Sequence, residues 1–548
     1  MRKSKTVQKI PYLAPEVEAK VIPSPTDGWD QISPLAEMDP KRAPILTNWV
    51  PRPGYVEARQ GFFLWNTVSS SPVETIMVYR SPGTQTMFAA AGGSIYDASS
   101  YFAPATVVTG LGSARWQWTN FTPSGAATVL QCVNGVDPPQ QWNGSAWSVP
   151  SITGLQSGDS TSDFINIYAQ KQRLWYIVKN STRIYFLATA AITGAVAGFQ
   201  DFGPLFNRGG YLIAMADWTI DGGNGPQDYV AFISSQGQIA LYAGTDPTNP
   251  SAWSLVGVFS IAPPIGYRCA WQIGSDVGII TQQGVLPISQ TLPFDPSADR
   301  SVAITARIQD AMATATQIGG TFFGWQLITY PMQQLLILNV PVEENESQQQ
   351  FVMNTLTGAW CEFNGWNANC FEVFNNQLYF GDNNGNVCTA YAGLADGTVG
   401  VSLDMQCAFN WFDEPGKEKR MTMMQPLLTT QGNITLTISV DTDFNTSSAV
   451  NTINLTGAGV TWDSAVWDVS LWPSGTTNYI SWLSVEAIGH AFAARMNFTL
   501  PPNNTSQTLS VFDTATFDNA VFDGAANGTA IVLQVNAFNA LLETGGVI

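Results

Sequence analysis

Two runs of aromatic residues near the C-terminal end form the most regular pattern that could do chemistry. Rings recur every five residues, and the next residue is an aspartate in five of six cases. The rings are Trp462, Trp467 and Trp472 in the first run and Phe512, Phe517 and Phe522 in the second. The aspartates are Asp463, Asp468, Asp513, Asp518 and Asp523. Carboxylates bind Ca²⁺ and exposed rings stack on sugars, so the functional interpretations are a calcium site or a carbohydrate platform.

The five-residue period also has a structural interpretation. It fits neither a strand nor a helix, whose periods are about 2.0 and 3.6 residues. It fits consecutive tight turns, in which each ring stacks on the next and each aspartate accepts a backbone N–H. Calcium needs about six to eight oxygens around one point, whereas these aspartates are spread over successive turns. The pattern therefore favours stacked turns, and ligand binding is the alternative.

The residue types needed for catalysis and for cofactor binding are sparse. His490 is the only histidine, and its neighbours do not place a nucleophile for a Ser/His/Asp or Cys/His mechanism. The sequence has no GxxxxGK[ST] loop and no strand-led GxGxxG fingerprint. Glycoside hydrolysis needs two carboxylates close together in space, and the sequence does not show which acidic residues meet. We therefore predict no catalytic residues, no metal and no cofactor, with a propeller-based glycan depolymerase as a minor alternative.

Six cysteines are scattered along the chain without a CxxC pair, which argues against a zinc site. The start of the sequence is basic but lacks the apolar segment of a signal peptide. Together these features predict buried, reduced thiols and synthesis in a reducing cytoplasm. The cysteines are Cys132, Cys269, Cys361, Cys370, Cys388 and Cys407.

The charge content of the 548 residues is low, at 12%, while 45% are hydrophobic. Soluble domains average about 25% charged residues. The sequence contains no run of 18 uncharged apolar residues, so it predicts no membrane helix. We expect large interfaces with partner subunits instead. The net charge of −18 argues against binding nucleic acid through its phosphates. An acidic surface could line a conduit for DNA, or could serve solubility alone.

The first two thirds of the chain consist of repeated β-hairpins, which would position any site located there. Pairs of alternating strands flank short turns that carry glycine, which supplies the positive φ of tight hairpins. The hairpins lie at 86–98, 127–147, 164–187, 229–244, 276–289, 334–363 and 376–391. Modules of roughly 50 residues predict a β-propeller of about six to eight blades over 55–398, with a double β-sandwich as the alternative.

The remaining segments complete an all-β protein. Residues 1–54 are predicted as an N-terminal arm with a short helical or turn segment, either docked on a neighbouring subunit or disordered. Residues 399–548 are predicted as a β-sandwich-like domain, with strands at 433–444, 491–500 and 529–543. An isolated surface helix between blades is predicted at 301–320. Its helical spacing rests on Val302, Ile304, Ile308, Met312 and Ala315, with Gly319 and Gly320 as the stop.

The stretch 33–62 resembles a conserved opening of tailed-bacteriophage virion proteins. The matching positions are Met38, Pro40, Ala43, Leu46, Asn48, Trp49, Pro51, Val56, Arg59 and Gly61. Later blocks at 133–147, 244–269, 352–371 and 378–387 also look like that family. The chain is similar to the tail tubular or nozzle proteins of short-tailed phages, and the resemblance covers most of 33–430.

The resemblance implies a β-propeller protein without catalytic residues that forms a six-fold ring around the DNA channel, below the portal and adaptor. We accordingly expect a non-enzymatic structural protein of the virion tail, assembled in the host bacterial cytoplasm. Its expected partners are copies of itself, the adaptor or portal, and tail fibre or spike proteins, while DNA passes without specific binding. No membrane span is expected. The alternative is a receptor- or glycan-binding tail protein.

Overall fold

The computed structural model describes residues 17–221, 226–291, 302–393, 395–430, 434–445, 450–455, 477–500 and 533–544. Strands dominate these ranges, which confirms the all-β prediction. The described α-helices are the single turn Ile288–Thr291 and the longer Gln309–Gly319.

Six four-stranded blades form the first part of the fold, as the propeller prediction requires. The strands of blades 1 and 2 are Val73–Ser81, Thr84–Ala91, Ser94–Asp97 and Ala105–Thr109, then Gln117–Phe121, Val129–Val133, Gln140–Trp142 and Trp147–Ser148. Those of blades 3 and 4 are Phe164–Gln170, Arg173–Val178, Arg183–Phe186 and Gly198–Asp201, then Leu212–Asp221, Pro226–Ser234, Gln238–Gly244 and Trp253–Ser260. Those of blades 5 and 6 are Gln326–Tyr330, Leu335–Glu343, Ser347–Asn354 and Trp360–Asn364, then Ala368–Phe374, Gln377–Asp382, Asn386–Ala390 and Phe62–Thr67.

A three-stranded sheet lies between blades 4 and 5 in the described chain. Its strands are Ala270–Ile273, Asp276–Thr281 and Gly284–Pro287. Buried apolar clusters join each sheet to the next, and one of them packs Val73 and Val78 of blade 1 on Phe374 and Val387 of blade 6. The succession of sheets therefore closes into a ring.

The last blade is closed by a strand from the beginning of the described chain. Phe62–Thr67 pairs antiparallel with Asn386–Ala390, and Phe62 lies opposite Ala390. This pairing ties together segments more than 300 residues apart. It gives blade 6 its fourth strand and holds the ring shut.

The hairpins predicted from glycine-bearing turns are confirmed. The pairs 84–91 with 94–97, 226–234 with 238–244, and 377–382 with 386–390 are antiparallel neighbours. Gly385 shows why the last of these turns needs glycine. Its φ is +80°, and a Cβ there would collide with the carbonyl of Ser69.

Two larger sheets face each other beside the ring. The first contains Val17–Pro23, Trp49–Arg52, Tyr55–Ala58, Lys419–Thr430, Thr477–Ile480, Leu483–Gly489 and Leu533–Thr544. The second extends blade 5 through Ile45–Thr47, Ser402–Gln406, Phe492–Thr499, Ile434–Thr442 and Val450–Leu455. Met424, Leu428 and Phe538 of the first sheet share one buried core with Ile438 and Met496 of the second.

Short pairs complete the described strands. Gly28–Trp29 pairs with Arg42–Ala43, and Ile152–Thr153 pairs with Gly194–Ala195. Ala395–Asp396 pairs with Val399–Gly400, and Ala105–Thr109 forms the outer edge of blade 1.

The described part of the N-terminal segment differs from the predicted arm. Val17–Pro23 pairs along its full length with residues 537–543, and Ile22 is buried. Trp49–Arg52 joins the same sheet. Long-range pairing of this kind leaves no signal in the local sequence, so the predicted boundaries at 54 and 398 cut through shared sheets.

The predicted helix is present but shorter and less isolated. It begins at Gln309, after a single 3₁₀ turn at Ala306–Ile308, and ends at Gly319 as expected. Ile308, Met312 and Ala315 are buried in the largest core cluster. One face of the helix therefore packs on the fold, because the spacing that predicted the helix also defines an apolar stripe.

Candidate functional site: a buried motif and the central cavity

Several residues of the stretch 33–62 meet in one buried junction centred on Arg59. The Arg59 guanidinium donates to both carboxylate oxygens of Asp396, at 2.8 and 2.6 Å, and Nε donates to Asn48 Oδ1 at 2.6 Å. Further bonds go to the carbonyls of Gln60 and Asn364. Its side chain is fully buried, and the cation lies 5.0 Å from the ring centroid of Trp366.

Asn48 connects this junction to the C-terminal sheets. It adopts a left-handed backbone with φ 62°, a conformation that asparagine tolerates better than most residues. Its Nδ2 donates to the carbonyl of Ser402 at 2.6 Å, and its Oδ1 also accepts the N–H of Asn364 at 2.9 Å. Asn48 therefore links blade 5 to the strand that begins at Ser402.

The other motif residues fill the same region. Trp49 is fully buried, and its ring lies 6.2 Å from that of Phe498. The carbonyl of Pro51 accepts a hydrogen bond from Asn354 at 2.9 Å. A Cβ on Gly61 would overlap the carbonyl of Ala395, so only glycine fits. This junction holds the propeller to the sandwich.

The aromatic-Asp runs lie outside the described residues. This applies to Trp462, Asp463, Trp467, Asp468 and Trp472 of the first run. It also applies to the second run, whose residues are Phe512, Asp513, Phe517, Asp518, Phe522 and Asp523.

A cavity of about 510 Å³ occupies the centre of the ring. The first strand of every sheet contributes to its wall, so residues far apart in sequence converge there. Its aromatic lining is Trp116, Trp118, Tyr168, Tyr267, Trp271 and Phe371, and its amide side chains are Gln117, Asn166, Gln272 and Gln326. The volume falls within the roughly 300–1,000 Å³ typical of small-molecule pockets, and rings with amides suit polar organic ligands.

Two guanidiniums and one carboxylate line this cavity: Arg80, Arg268 and Glu372. Arg80 donates to Glu372 at 2.6 Å, and its guanidinium lies 5.8 Å from the ring centroid of Trp118. Burial raises the pKa of Glu372, although Arg80 acts in the opposite direction. Two-carboxylate hydrolysis of a glycoside would need a second acid, which this lining does not contain.

Arg268 reaches across the ring from the segment before the three-stranded sheet. Its Nη2 donates to Thr75 Oγ1 at 2.7 Å, to the carbonyl of Glu74 at 3.1 Å and to that of Trp116 at 3.2 Å. The guanidinium also lies 5.0 Å from the ring centroid of Phe323. Arg268 thus connects opposite sides of the propeller through a single nitrogen.

Near the wall of the central cavity, the carboxylate of Asp217 has a raised pKa. It lies in the first strand of blade 4, where its N–H donates to the hydroxyl of Tyr168 at 3.2 Å. Its Oδ1 is buried without a hydrogen-bond partner. Burial raises the pKa of Asp217 to about 7, while Lys171 lowers it and Asp228 raises it further.

Metal and thiol chemistry receive little support in the described ranges. No group of three or more His, Cys, Asp or Glu side chains there is arranged to hold a metal ion. All six cysteines are buried and free, as predicted, and burial raises the pKa of the Cys132 thiol. His490 is half-exposed at a bend, with Nδ1 3.6 Å from Asp443 Oδ2. No helix in these ranges has the length and apolar composition needed to cross a bilayer.

Comparison with known proteins does not assign this chain to a family. No family model matches the chain, and no curated protein matches it. Among solved structures, a putative 6-phosphogluconolactonase from Bacteroides fragilis is 11% identical, with a TM-score of 0.33, over 59% of this chain and 87% of that one. Sqt1 from Saccharomyces cerevisiae is 11% identical, with a TM-score of 0.31, over 61% and 98%.

A third structure extends over more of the chain. It is a glycoside hydrolase family 43 arabinoxylan arabinofuranohydrolase from Bacillus subtilis, 9% identical with a TM-score of 0.25, covering 92% of this chain and 96% of that one. At such scores, none of the three carries an argument about function.

Sequence reasoning did not find the cavity residues. Arg268 stands alone between Tyr267 and Cys269, without a repeated pattern around it. The first strand of each blade was the only available signal, because inner strands of a propeller line its axis. Selecting polar residues from those strands would have named Asn166 and Gln326.

Proposed function

We propose that this protein is a structural component of a bacteriophage tail, forming a hexameric nozzle or tubular ring around the DNA channel below the portal and adaptor. The observation that carries the proposal is the phage-like stretch 33–62, whose residues form the junction between propeller and sandwich. Asn48, Arg59 and Gly61 each have a specific buried role there. The motif is therefore supported as a structural signature and not as a catalytic one.

The size of the central cavity bears on where DNA would pass. At about 510 Å³ it is the size of a small-molecule pocket, and Arg268 crosses it. Duplex DNA could not enter the propeller axis. In the proposed ring the conduit lies between copies, and the net charge of −18 disfavours adhesion of DNA to its wall.

A surface suited to contact between copies lies on the first of the two large sheets. Directly paired residues share a face, and Val17, Glu543, Arg420 and Ile488 form one row across four strands. Val17 is 53% exposed and Ile488 is 59% exposed. We call this surface the outer sheet face; it also includes Val21, Leu427 and Ile480, which lie in further rows.

The composition of the outer sheet face favours a protein partner. Val21 is 57% exposed and lies in one row with Asn539 and Gln425, and Ile480, opposite Leu427, is 59% exposed. The face thus combines exposed aliphatic residues and amides with the charged residues Arg420 and Glu543, and exposed aliphatic residues are typical of surfaces that bind another protein. A second copy of this chain is the partner that a closed ring requires, with well over about 1,000 Å² buried per contact.

Native mass spectrometry of the purified protein tests ring formation. We expect closed oligomers for the natural chain, and their loss in Ile488→Glu, which places a charge in the outer sheet face. Leu356→Glu is the matched control, because Leu356 is 64% exposed in a turn of blade 5. Monomers of the natural chain at all concentrations, together with its absence from virions, would refute the proposal.

A receptor- or glycan-binding tail protein is the second candidate. The aromatic and amide lining of the central cavity favours it, because such side chains stack on sugar rings and bond their hydroxyls. Sugar-dependent thermal stabilisation would support this function. A glycan array without binding would count against it.

A further inference from the structure

The hydrogen bonds of Arg268 leave most of its guanidinium unused. A guanidinium has five N–H donors, and all three bonds of Arg268 come from Nη2. Nε and the two hydrogens of Nη1 have no acceptor within bonding distance among the described residues. Neither atom is among the buried polar atoms without a partner, and Arg268 belongs to the cavity lining.

Arg268 also lacks a carboxylate in direct contact, although Glu74 and Glu372 act on its charge from a greater distance. No carboxylate of the described residues lies within 4.0 Å of its guanidinium, whereas Arg80 has Glu372 and Arg115 has Glu74 and Glu344. The cavity lining therefore holds one more positive than negative charge. Burying an unpaired charge is costly, and burial lowers the pKa of Arg268. An arginine kept in this position without a counter-ion fits a site that receives one.

The position of Arg268 is fixed before any ligand arrives. Thr75 donates its hydroxyl to the carbonyl of Ala114, so its oxygen is oriented to accept from Arg268. The ring of Phe323 stacks near the guanidinium on another side. Such anchoring of one nitrogen aims the remaining donors and reduces the entropy lost on binding.

We propose that the central cavity binds a small oxyanion-bearing molecule, a carboxylate or a phosphate, at the free Nη1 donors of Arg268. Hydrogen bonds from a charged donor to an oxyanion are short and strong, and both hydrogens of Nη1 are available for them. Trp118 and Tyr267 provide apolar surface for the body of the molecule, and Gln117 and Gln272 provide amides for its hydroxyl groups. The inference rests on the cavity alone and does not depend on the proposed ring.

Isothermal titration calorimetry of the full chain tests this site with glucuronate and with inorganic phosphate, against neutral glucose. We expect glucuronate or phosphate to bind and glucose to bind at least about tenfold more weakly, because charged hydrogen bonds are stronger than neutral ones. Whichever of the two anions binds more tightly identifies the oxyanion class. Absence of binding by both anions would overturn the proposal.

Variants locate the binding. Arg268→Met removes the donors, and Gln117→Glu adds a negative charge to the wall with almost no change of volume. Each should weaken anion binding at least about tenfold. The control is Arg208→Met, the same change at an exposed arginine outside the cavity. If Arg268→Met does not fold, Gln117→Glu still tests whether the anion binds in the central cavity. Unchanged affinity in Gln117→Glu, or equal loss in Arg208→Met, would overturn the proposal.

Discussion

Replacing Arg59 with methionine should open the junction between the propeller and the sandwich. The change removes five side-chain hydrogen bonds while keeping much of the side-chain volume. It leaves the carboxylate of Asp396, whose side chain is 11% exposed, without its counter-ion. Breaking one partner of a buried ion pair costs about 3–5 kcal/mol.

Hydrogen exchange followed by mass spectrometry measures this loss where it occurs. The amides of Asn48, Arg59 and Asn364 are bonded within the junction, so peptides covering 46–61 and 362–366 report its opening. A loss of about 3–5 kcal/mol should accelerate their exchange by roughly 100- to 4,000-fold, since about 1.4 kcal/mol is tenfold. Peptides from blades 2 and 3 should keep their exchange rates.

Two further variants make the test specific. Lys417→Met is the control, because Lys417 forms an exposed ion pair with Glu414 at 2.7 Å and such pairs contribute about 0–1 kcal/mol. Arg59→Met combined with Asp396→Leu removes both charges and should be less destabilised than the sum of the two single changes. Less than tenfold acceleration in Arg59→Met, or strictly additive effects, would refute the reasoning about the junction.

Two other predictions concern titration and thiol reactivity. Burial raises the pKa of Asp217 to about 7 in the folded chain. The unfolded chain loses this proton near pH 4, whereas the folded chain keeps it up to about pH 7. This group therefore lowers the free energy of unfolding as pH rises from about 4 to about 7. The melting temperature of Asp217→Asn relative to the natural chain should therefore increase over that range, and a constant difference would contradict the raised pKa. All six cysteines should resist a thiol reagent in the folded chain and react after denaturation, because burial raises the thiol pKa values, that of Cys269 to about 12. Rapid labelling of the folded chain would contradict their burial.

The propeller was predictable because its hairpins are local. Each hairpin combines period-two apolar residues with a glycine turn, and both signals lie within some 15 residues. The turn at Gly385 illustrates this, since the packing against Ser69 and the positive φ require the residue that the sequence displays.

Pairing across long distances was not predictable in the same way. The strand Phe62–Thr67 closes blade 6, and Val17–Pro23 pairs with residues 537–543, yet neither segment encodes its partner. The predicted arm and the two domain boundaries differ from the structure for this reason. Strand register is specified by which faces become buried, and that depends on the whole fold.

The candidate sites show the same difference between local and long-range signals. The motif residues Asn48, Arg59 and Gly61 were selected from sequence, and the structure brings them together. Their role as a buried junction could not be read from the motif, because the partner Asp396 is more than 300 residues away. Arg268 left no signal at all, since its importance comes from the cavity that seven separate strands create around it.

A cryo-electron microscopy map of the intact virion tests the central claim most directly. The proposal predicts six copies of this chain in a closed ring within the tail, around the DNA channel below the portal and adaptor, with the outer sheet face at the contact between copies. Virions that lack this protein, or that carry it only as separate monomers away from the channel, would contradict the proposal.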